Sequence, residues 1–437
     1  MSIVKAVRGV RDLLPPETDL WNRIESTARN VFERYCFGEI RTPIFEETQL
    51  FARGVGEETD IVSKEMYTFT PAGDEGGGQS LTLRPENTAG VVRAYIEHRL
   101  ANSGQLQKLY YIGPQFRRER PQRGRYRQFF QIGAEVIGPP GSGSESPVRD
   151  AEVLEMLASL LSELGIRGWT LLLNSVGSSS ERPAYVARLR EALTPVAGQL
   201  CANCQRRAVT NPLRVLDCKT PQDQPIIDGL PRIWDSLDPS SKAHFNAVRA
   251  ALEACGVPYE HDHRLVRGLD YYTRTTFEFV QRNAAAGEGE LGAQNALLGG
   301  GRYDGLSEAI GGPRAPGIGF AIGEDRLALA LAAQSRAEVR LADAYIAPLG
   351  EALNAPSLAL ARELRASGLR VELGDGSFRL KKSMETANKL ARAVVILGED
   401  ELASAMLTVK SFATGEQTKV SRNLRELTAV LAGNLQS

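Results

Sequence analysis

A chain of 437 residues has room for about three domains of ~150 residues each, enough to bury a sizeable core. Its 42% apolar and 24% charged residues are those of an ordinary soluble globular protein, and a formal charge of −1 excludes binding to nucleic acid through overall basicity. Any such contact must come from local patches. No signal-peptide core is expected at the N-terminus, where Lys5, Arg8, Arg11 and Asp12 interrupt the chain, and the longest apolar run, Leu327–Ala333, is too short to span a bilayer. Five cysteines, an odd number, predict reduced thiols in a cytoplasm.

Residues 17–35 follow Pro15-Pro16 and place Leu20, Ile24, Thr27, Val31 and Tyr35 near helical spacing, which predicts an amphipathic helix. The next run, GEIRTPIFEETQLFARG, reads as a strand whose Pro43 can sit only at an edge or end. Residues 71–80 (PAGDEGGGQS) are a loop by composition. LTLRPENTAGVVRAYIEH then reads as a strand entering a helix, with Glu86 and Thr88 at the corner and either Asn87 or Thr88 able to cap.

The stretch Leu109–Ile137 carries the densest charge: six arginines from Arg117 to Arg127, opposed by one acid, Glu119. Two β-prone runs flank Arg120-Pro121-Gln122-Arg123-Gly124, which predicts an antiparallel hairpin with a long basic loop. Strand alternation places Phe129, Gln131, Gly133 and Glu135 on one face, and Arg117 with Glu119 on one face of the partner strand. Arginine forks match phosphate and carboxylate oxygens in two-point contacts, so this face suits a polyphosphate nucleotide plus a small polar substrate. A charged edge strand that resists edge pairing would explain the arginines, but not inward Gln131 and Glu135.

A polar loop at Pro139–Pro147 precedes a helical pattern from Val148 to Leu164, and LLLNSVGS reads as a strand. Residues 175–258 then read as an insertion between strands, containing Cys201, Cys204 and Cys218. This CxxC plus a third cysteine raises a zinc reading, but no fourth cysteine or histidine lies nearby, so ordinary thiols and no metal are expected. His261 and His263 find no third ligand and read as surface or structural. Arg267-Gly268-Leu269-Asp270-Tyr271-Tyr272-Thr273 precedes a strand at Thr275–Val280; an arginine beside a glycine can approach a phosphate closely, and paired tyrosines offer a wall to a flat ring. LGGGRYDGL at 298–306 lacks the Lys-Ser/Thr of a P-loop. GIGFAIGEDRL at 317–327 reads as a strand of small residues entering a helix, with Arg326 one turn in, where it suits an anionic tail.

From about Leu341 the rhythm becomes strand Ala342–Leu349, helix Ala355–Ser367, strand Leu369–Leu373, helix Phe378–Ala391 and strand Ala393–Leu397. This βαβαβ order predicts a small parallel or mixed sheet with helices on its faces; Arg379, Lys381, Lys382 and Lys389 make one helix basic.

FRRER followed by RxRQFFQ resembles motif 2 of the class II aminoacyl-tRNA synthetases, and GPQFRRERPQRGRYRQFFQIGAE, RGLDYYT and GGGRYDGL are similar to the histidyl family among them. Residues 17–54 resemble motif 1, the family's dimer-forming segment, and GIGFAIGEDRL resembles motif 3. The family has histidine often where this chain has Phe130, a position expected to face away from the pocket.

The resemblance implies an α+β fold: an antiparallel sheet flanked by helices, with an insertion and a C-terminal α/β anticodon-binding domain. It divides the chain into a catalytic domain at 1–334, including the 175–258 insertion, and an anticodon-binding domain at 341–437. It implies that histidine is activated by ATP with Mg2+, with no tightly bound cofactor, and transferred to tRNA(His) by a cytoplasmic homodimer with no membrane partner. Arg117 is implied to bridge the amino-acid carboxylate and the α-phosphate, aided by Arg267, with Arg326 near the γ-phosphate. Glu119, Arg125 and Phe129 fall on the nucleotide side, Phe129 stacking on adenine. Glu86 is implied to hold the α-amino group near Thr88, with Gln131, Glu135, Tyr271, Tyr272 and Tyr303 around the substrate. Gln122 and Arg123 would meet the tRNA acceptor end. Two rivals share the fold: a regulatory paralog of a phosphoribosyltransferase, which usually lacks RGLDYY and the C-terminal domain, and an RNA sensor, which would be favoured by loss of Arg117, Glu135, Arg267 or Arg326.

Overall fold

The apolar and glycine-rich runs of the first 337 residues assemble into one eight-stranded sheet. Across it the order is Gly38–Glu39, Gln107–Phe116, Gln128–Ile137, Gly317–Gly323, Ala296–Arg302, Thr273–Gln281, Trp169–Ser175 and Tyr259–His261. The two outermost pairs are parallel and all inner pairs antiparallel. The computed structural model describes residues 3–56, 59–71, 79–269, 271–281, 295–334 and 342–433. Asp270 and most of the 71–80 loop lie outside the described residues. The chain divides into two compact units, 1–337 and 338–437.

Period-two alternation gives the large sheet two unlike faces. On one face Ile132, Ala134, Val136, Phe277, Phe279, Ile318, Phe320 and Ile322 pack with helix residues into the main core. The helices Glu17–Arg34, Pro147–Leu164, Pro239–Ala254 and Glu324–Gln334 contribute Ile24, Val31, Phe32, Leu154, Leu157, Leu161, Phe245, Val248 and Leu327 to it. Phe130 is on this side, edge-on to Trp21 with ring centroids 5.5 Å apart. The opposite face carries Gly133, Glu135, Gly299, Gly301, Gly317 and Gly319.

Three local readings are corrected. The first helix buries Trp21, Ile24, Ala28, Val31 and Phe32, while Leu20, Thr27 and Tyr35 are half-buried, because the large apolar stripe runs one position aside. Within GEIRTPIFEETQLFARG only Gly38–Glu39 and Phe45–Glu47 are strand; Thr48–Val55 is a helix that buries Leu50, Phe51, Gly54 and Val55. The first hairpin strand ends at Phe116, so Arg117 and Glu119 lie just past it. Arg117 N–H still pairs with Arg127 O at 2.9 Å, but Arg118 N–H turns away to Glu65 O at 2.7 Å.

The second unit has a five-stranded sheet in the order Val371–Leu373, Ala344–Pro348, Ala393–Leu397, Met406–Ser411, Gln417–Ser421. The first three strands are parallel, as the βαβαβ rhythm requires, and the last two add an antiparallel hairpin that the sequence reading did not reach. Helices Asn354–Ala366 and Leu424–Gly433 supply Leu360, Leu364, Leu427 and Leu431 to its core.

Candidate active site

Small residues on the open face of the large sheet leave space that polar side chains fill. A Cβ on Gly319 would lie 1.7 Å from Glu135 Oε2, and one on Gly299 would lie 2.6 Å from the Arg267 guanidinium. The alternating small and large residues of GIGFAIG thus put bulk into the core and leave clearance at the site.

At the centre of this face Glu135 is fully buried, and its Oε1 accepts from Thr88 Oγ1 at 2.7 Å. Its Oε2 makes no hydrogen bond among the described residues, and neither do buried Gln131 Oε1 and the Tyr303 hydroxyl. Burial pushes the Glu135 carboxyl up to about 8, against the opposing hydrogen bond from Thr88. Burial also raises Glu86, although Glu86 accepts from the backbone N–H of Ala89 at 3.0 Å and of Thr88 at 2.8 Å. Those two bonds satisfy the first donors of the helix Thr88–Glu97, so Glu86 rather than Asn87 or Thr88 caps it. The Thr88 hydroxyl is thereby left for Glu135.

A cavity of about 300 Å³ lies above this floor. Glu86, Thr88, Gln131, Tyr271 and Tyr272 line it together with Arg117, Glu119, Arg125, Phe129, Arg267 and Arg326. Glu135 and Tyr303 lie beneath it, buried. Gln122 and Arg123 are exposed at the hairpin tip, away from this cavity. Gln122 and Arg125 close that loop with a pair of backbone hydrogen bonds of 3.1 and 2.9 Å around Gly124, whose φ of +72° is the left-handed conformation glycine favours.

The arginines are held from behind. Arg117 Nε donates to Pro85 O at 2.8 Å while its guanidinium carbon sits 5.2 Å from the Phe129 ring centroid. Arg125 pairs with Glu119 at 3.1 Å, and Arg326 donates to Ala296 O. Arg267 donates to Glu278 at 2.5 Å; burial opposes its charge, yet the carboxylate beside it leaves its pKa raised. Arg326 is lowered by burial and by Arg125. A wider cavity of about 710 Å³ shares Arg117, Arg125, Arg267 and Glu278, and reaches Arg214 and Lys219.

Sequence reasoning missed Glu278 and Gln115. Glu278 alternates outward from the core residues Phe277 and Phe279, so strand parity alone would have found it. Gln115 is fully buried with neither amide atom hydrogen-bonded among the described residues, and it stands opposite Phe129 in the hairpin register.

An antiparallel sheet of this order, with an arginine hairpin and an arginine-bearing helix facing each other over a polar cavity, defines the catalytic fold of a class II aminoacyl-tRNA synthetase. A family model described as histidyl-tRNA synthetase matches residues 9–327, and one described as anticodon binding domain matches residues 343–429. The chain is 67% identical to a histidine–tRNA ligase of Koribacter versatilis over 96% of this chain and 94% of that one. It is 57% identical to one from Solibacter usitatus, over 96% and 97%. The crystal structure of apo S. aureus histidyl-tRNA synthetase superimposes with a TM-score of 0.77 at 38% identity, covering 98% of this chain and 99% of that one. The chain belongs to the histidyl-tRNA synthetase family.

Proposed function

We propose that this chain ligates histidine to tRNA(His) and that the cavity over Glu135 is where it forms histidyl-adenylate. The histidine carboxylate attacks the ATP α-phosphorus and diphosphate leaves; the terminal ribose hydroxyl of the tRNA then attacks the adenylate carbonyl, releasing AMP. Neither step needs a protein nucleophile, so the side chains act by positioning and by stabilising charge. Arg117 and Arg267 neutralise the α-phosphate, and Arg326 meets the γ-phosphate. Glu86 takes the substrate ammonium, and Glu135, Gln131, Tyr271, Tyr272 and Tyr303 surround its imidazole. Phe129 stacks on adenine beside Glu119 and Arg125, while Gln122 and Arg123 meet the acceptor end.

One observation carries this reading: Gln131 Oε1 and Arg267 Nε, of two residues that line the cavity, are buried without hydrogen bonds among the described residues, over the buried carboxyl of Glu135. Buried polar groups left so are costly unless a ligand completes them. Mg2+ would come with the nucleotide. Glu278 beside Arg267 and Glu119 on the adenine side are both already paired with arginines, so the phosphates themselves would hold the ion.

The second unit would bind the anticodon, with the helix Leu380–Leu390 offering Lys381, Lys382 and Lys389. A homodimer through the segment around Pro43 is supported by Ile44, Phe45 and Phe69, which are 46%, 53% and 43% exposed on the small sheet Phe45–Glu47, Leu81–Leu83, Tyr67–Phe69. Among the described residues no helix is long and apolar enough to cross a membrane.

The test is histidine-dependent ATP–diphosphate exchange with single-turnover adenylate formation in Arg267→Ala. Removing one charge-stabilising group from a buried site should slow that step by about 10²–10³-fold while histidine binding changes only a few-fold. Near-normal adenylate formation would remove Arg267 from the mechanism.

A further inference from the structure

Between the strands Trp169–Ser175 and Tyr259–His261, three cysteines and an aspartate converge. Cys201 precedes the helix Ala202–Thr210, Cys204 lies in its first turn, Cys218 follows it, and Asp223 ends the short turn Pro221–Asp223. One ligand atom from each of the four lies within 4.8 Å of all the others. Cys201 Sγ is 3.9 Å from Cys218 Sγ, and Cys218 Sγ is 3.2 Å from Asp223 Oδ2. Sulfurs on a tetrahedral zinc, at Zn–S of ~2.3 Å, stand about 3.8 Å apart. A disulfide would bring them to ~2.05 Å.

Cys204 and Asp223 are fully buried and Cys218 nearly so, within a small core that includes Leu200, Ala208 and Val215. Packed thiols alone would suit that core, but they do not explain an aspartate at zero exposure turned onto sulfur. Its Oδ1 accepts from Cys201 N–H at 2.9 Å. Buried carboxylates are paired or coordinate metals.

We propose that Cys201, Cys204, Cys218 and Asp223 form a structural zinc site. Cysteine and histidine spacing shows only three ligands because the fourth is a carboxylate, five residues past Cys218. Four protein ligands leave no open position, which makes the site structural rather than catalytic. Its surroundings fit thiolate ligands: Thr220 N–H donates to Cys218 Sγ at 3.4 Å, and Gln224 Nε2 ties down the carbonyls of Cys218 and Thr220 at 2.8 and 3.0 Å. Arg207, on the wall of the adjoining cavity, offsets part of the excess negative charge, while Lys219 there is paired with Asp217 at 3.8 Å. The metal would fix the segment that sets Arg214 beside Gly268 and Lys219 on the wider cavity over Arg267.

The full chain, made with zinc supplied and purified reduced without chelator, should carry about one zinc by mass-spectrometric metal analysis. Cobalt added to the reduced, metal-stripped protein should give thiolate charge-transfer absorption and intense tetrahedral d–d bands. Cys201→Ser and Asp223→Ala should each lose at least nine-tenths of the zinc, and metal removal should lower Tm by several degrees. Cys201 is the least buried of the three cysteines in the site, so its variant remains informative if Cys204→Ser fails to fold. Folded wild type holding less than a tenth of a zinc and showing no cobalt bands overturns the site. So does zinc that survives both substitutions, or a thiol count of three of the five because Cys201 and Cys218 are joined.

Discussion

Arg302 and Asp150 form an ion pair at 2.5 Å with neither side chain exposed, across 152 residues of sequence. It fastens the end of the strand Ala296–Arg302 to the start of the helix Pro147–Leu164, and so fixes Tyr303, the next residue, beneath Glu135. Ser144 O, Asp304 and His244 complete the network at 2.8, 2.9 and 2.8 Å.

Breaking this pair should unfold the chain more readily than any surface change. Asp150→Asn leaves the buried Arg302 guanidinium with only the partly exposed Asp304 as counter-charge, and a loss of about 3–5 kcal/mol is expected in urea unfolding. Replacing both partners with apolar residues should cost less than the two single losses added. Burial would raise Asp150, but Arg302 and His244 hold it down at about 2. Its stabilisation is therefore present above the unfolded value of 3.8 and lost as pH falls through about 2. An acid limb of unfolding unchanged by Asp150→Asn would contradict this.

Glu135 works in the opposite direction. With its carboxyl raised to about 8, the stability it gives is full below 4.5 and is lost as pH rises through about 8. The free imidazole is mostly neutral at pH 7. When it donates its N–H to an ionised Glu135, the carboxyl proton goes to the buffer, so histidine binding should release a proton. A proton passed from Glu135 to the ring would leave none released. Calorimetry in buffers of different ionisation enthalpy measures this, and Glu135→Gln should abolish it while raising the KM for histidine more than that for ATP. Equal rises in both constants would make Glu135 structural.

Clearance over the glycines should matter unequally. Gly319→Ala meets Glu135 Oε2 at 1.7 Å and backbone Ala134 O at 2.8 Å, so overpacking should cost about 1–3 kcal/mol and weaken histidine binding. Gly299→Ala meets the guanidinium of Arg267 as its nearest atoms, at 2.6 Å, a side-chain end rather than backbone. It should keep stability within about 1 kcal/mol yet slow adenylate formation tenfold or more. Thermal melts with single-turnover rates separate the two, and the reverse ranking would refute the clearance argument.

A chain cut after Gln334 should keep diphosphate exchange but charge tRNA poorly, because every residue lining the site precedes Leu327. A distant RNA contact positions the acceptor end without entering the first chemical step. Circular dichroism and sedimentation should first show a folded truncate. If exchange is lost as completely as aminoacylation, the division of labour is wrong.

Alternation and motif order by themselves determined the hairpin, its inward row Phe129, Gln131, Gly133, Glu135, and the small-and-large rhythm of GIGFAIG. These follow from period-two geometry, which depends only on neighbours in sequence. The βαβαβ run to Leu397 was legible for the same reason. Tertiary structure alone decided which polar groups met. Glu278 found Arg267, Glu86 took the helix donors and freed Thr88 for Glu135, Asp150 neutralised Arg302, and Asp223 completed the cysteine triad. Each of these pairings depends on long-range packing or on competition for a buried hydrogen bond, and neither leaves a periodic trace in the chain.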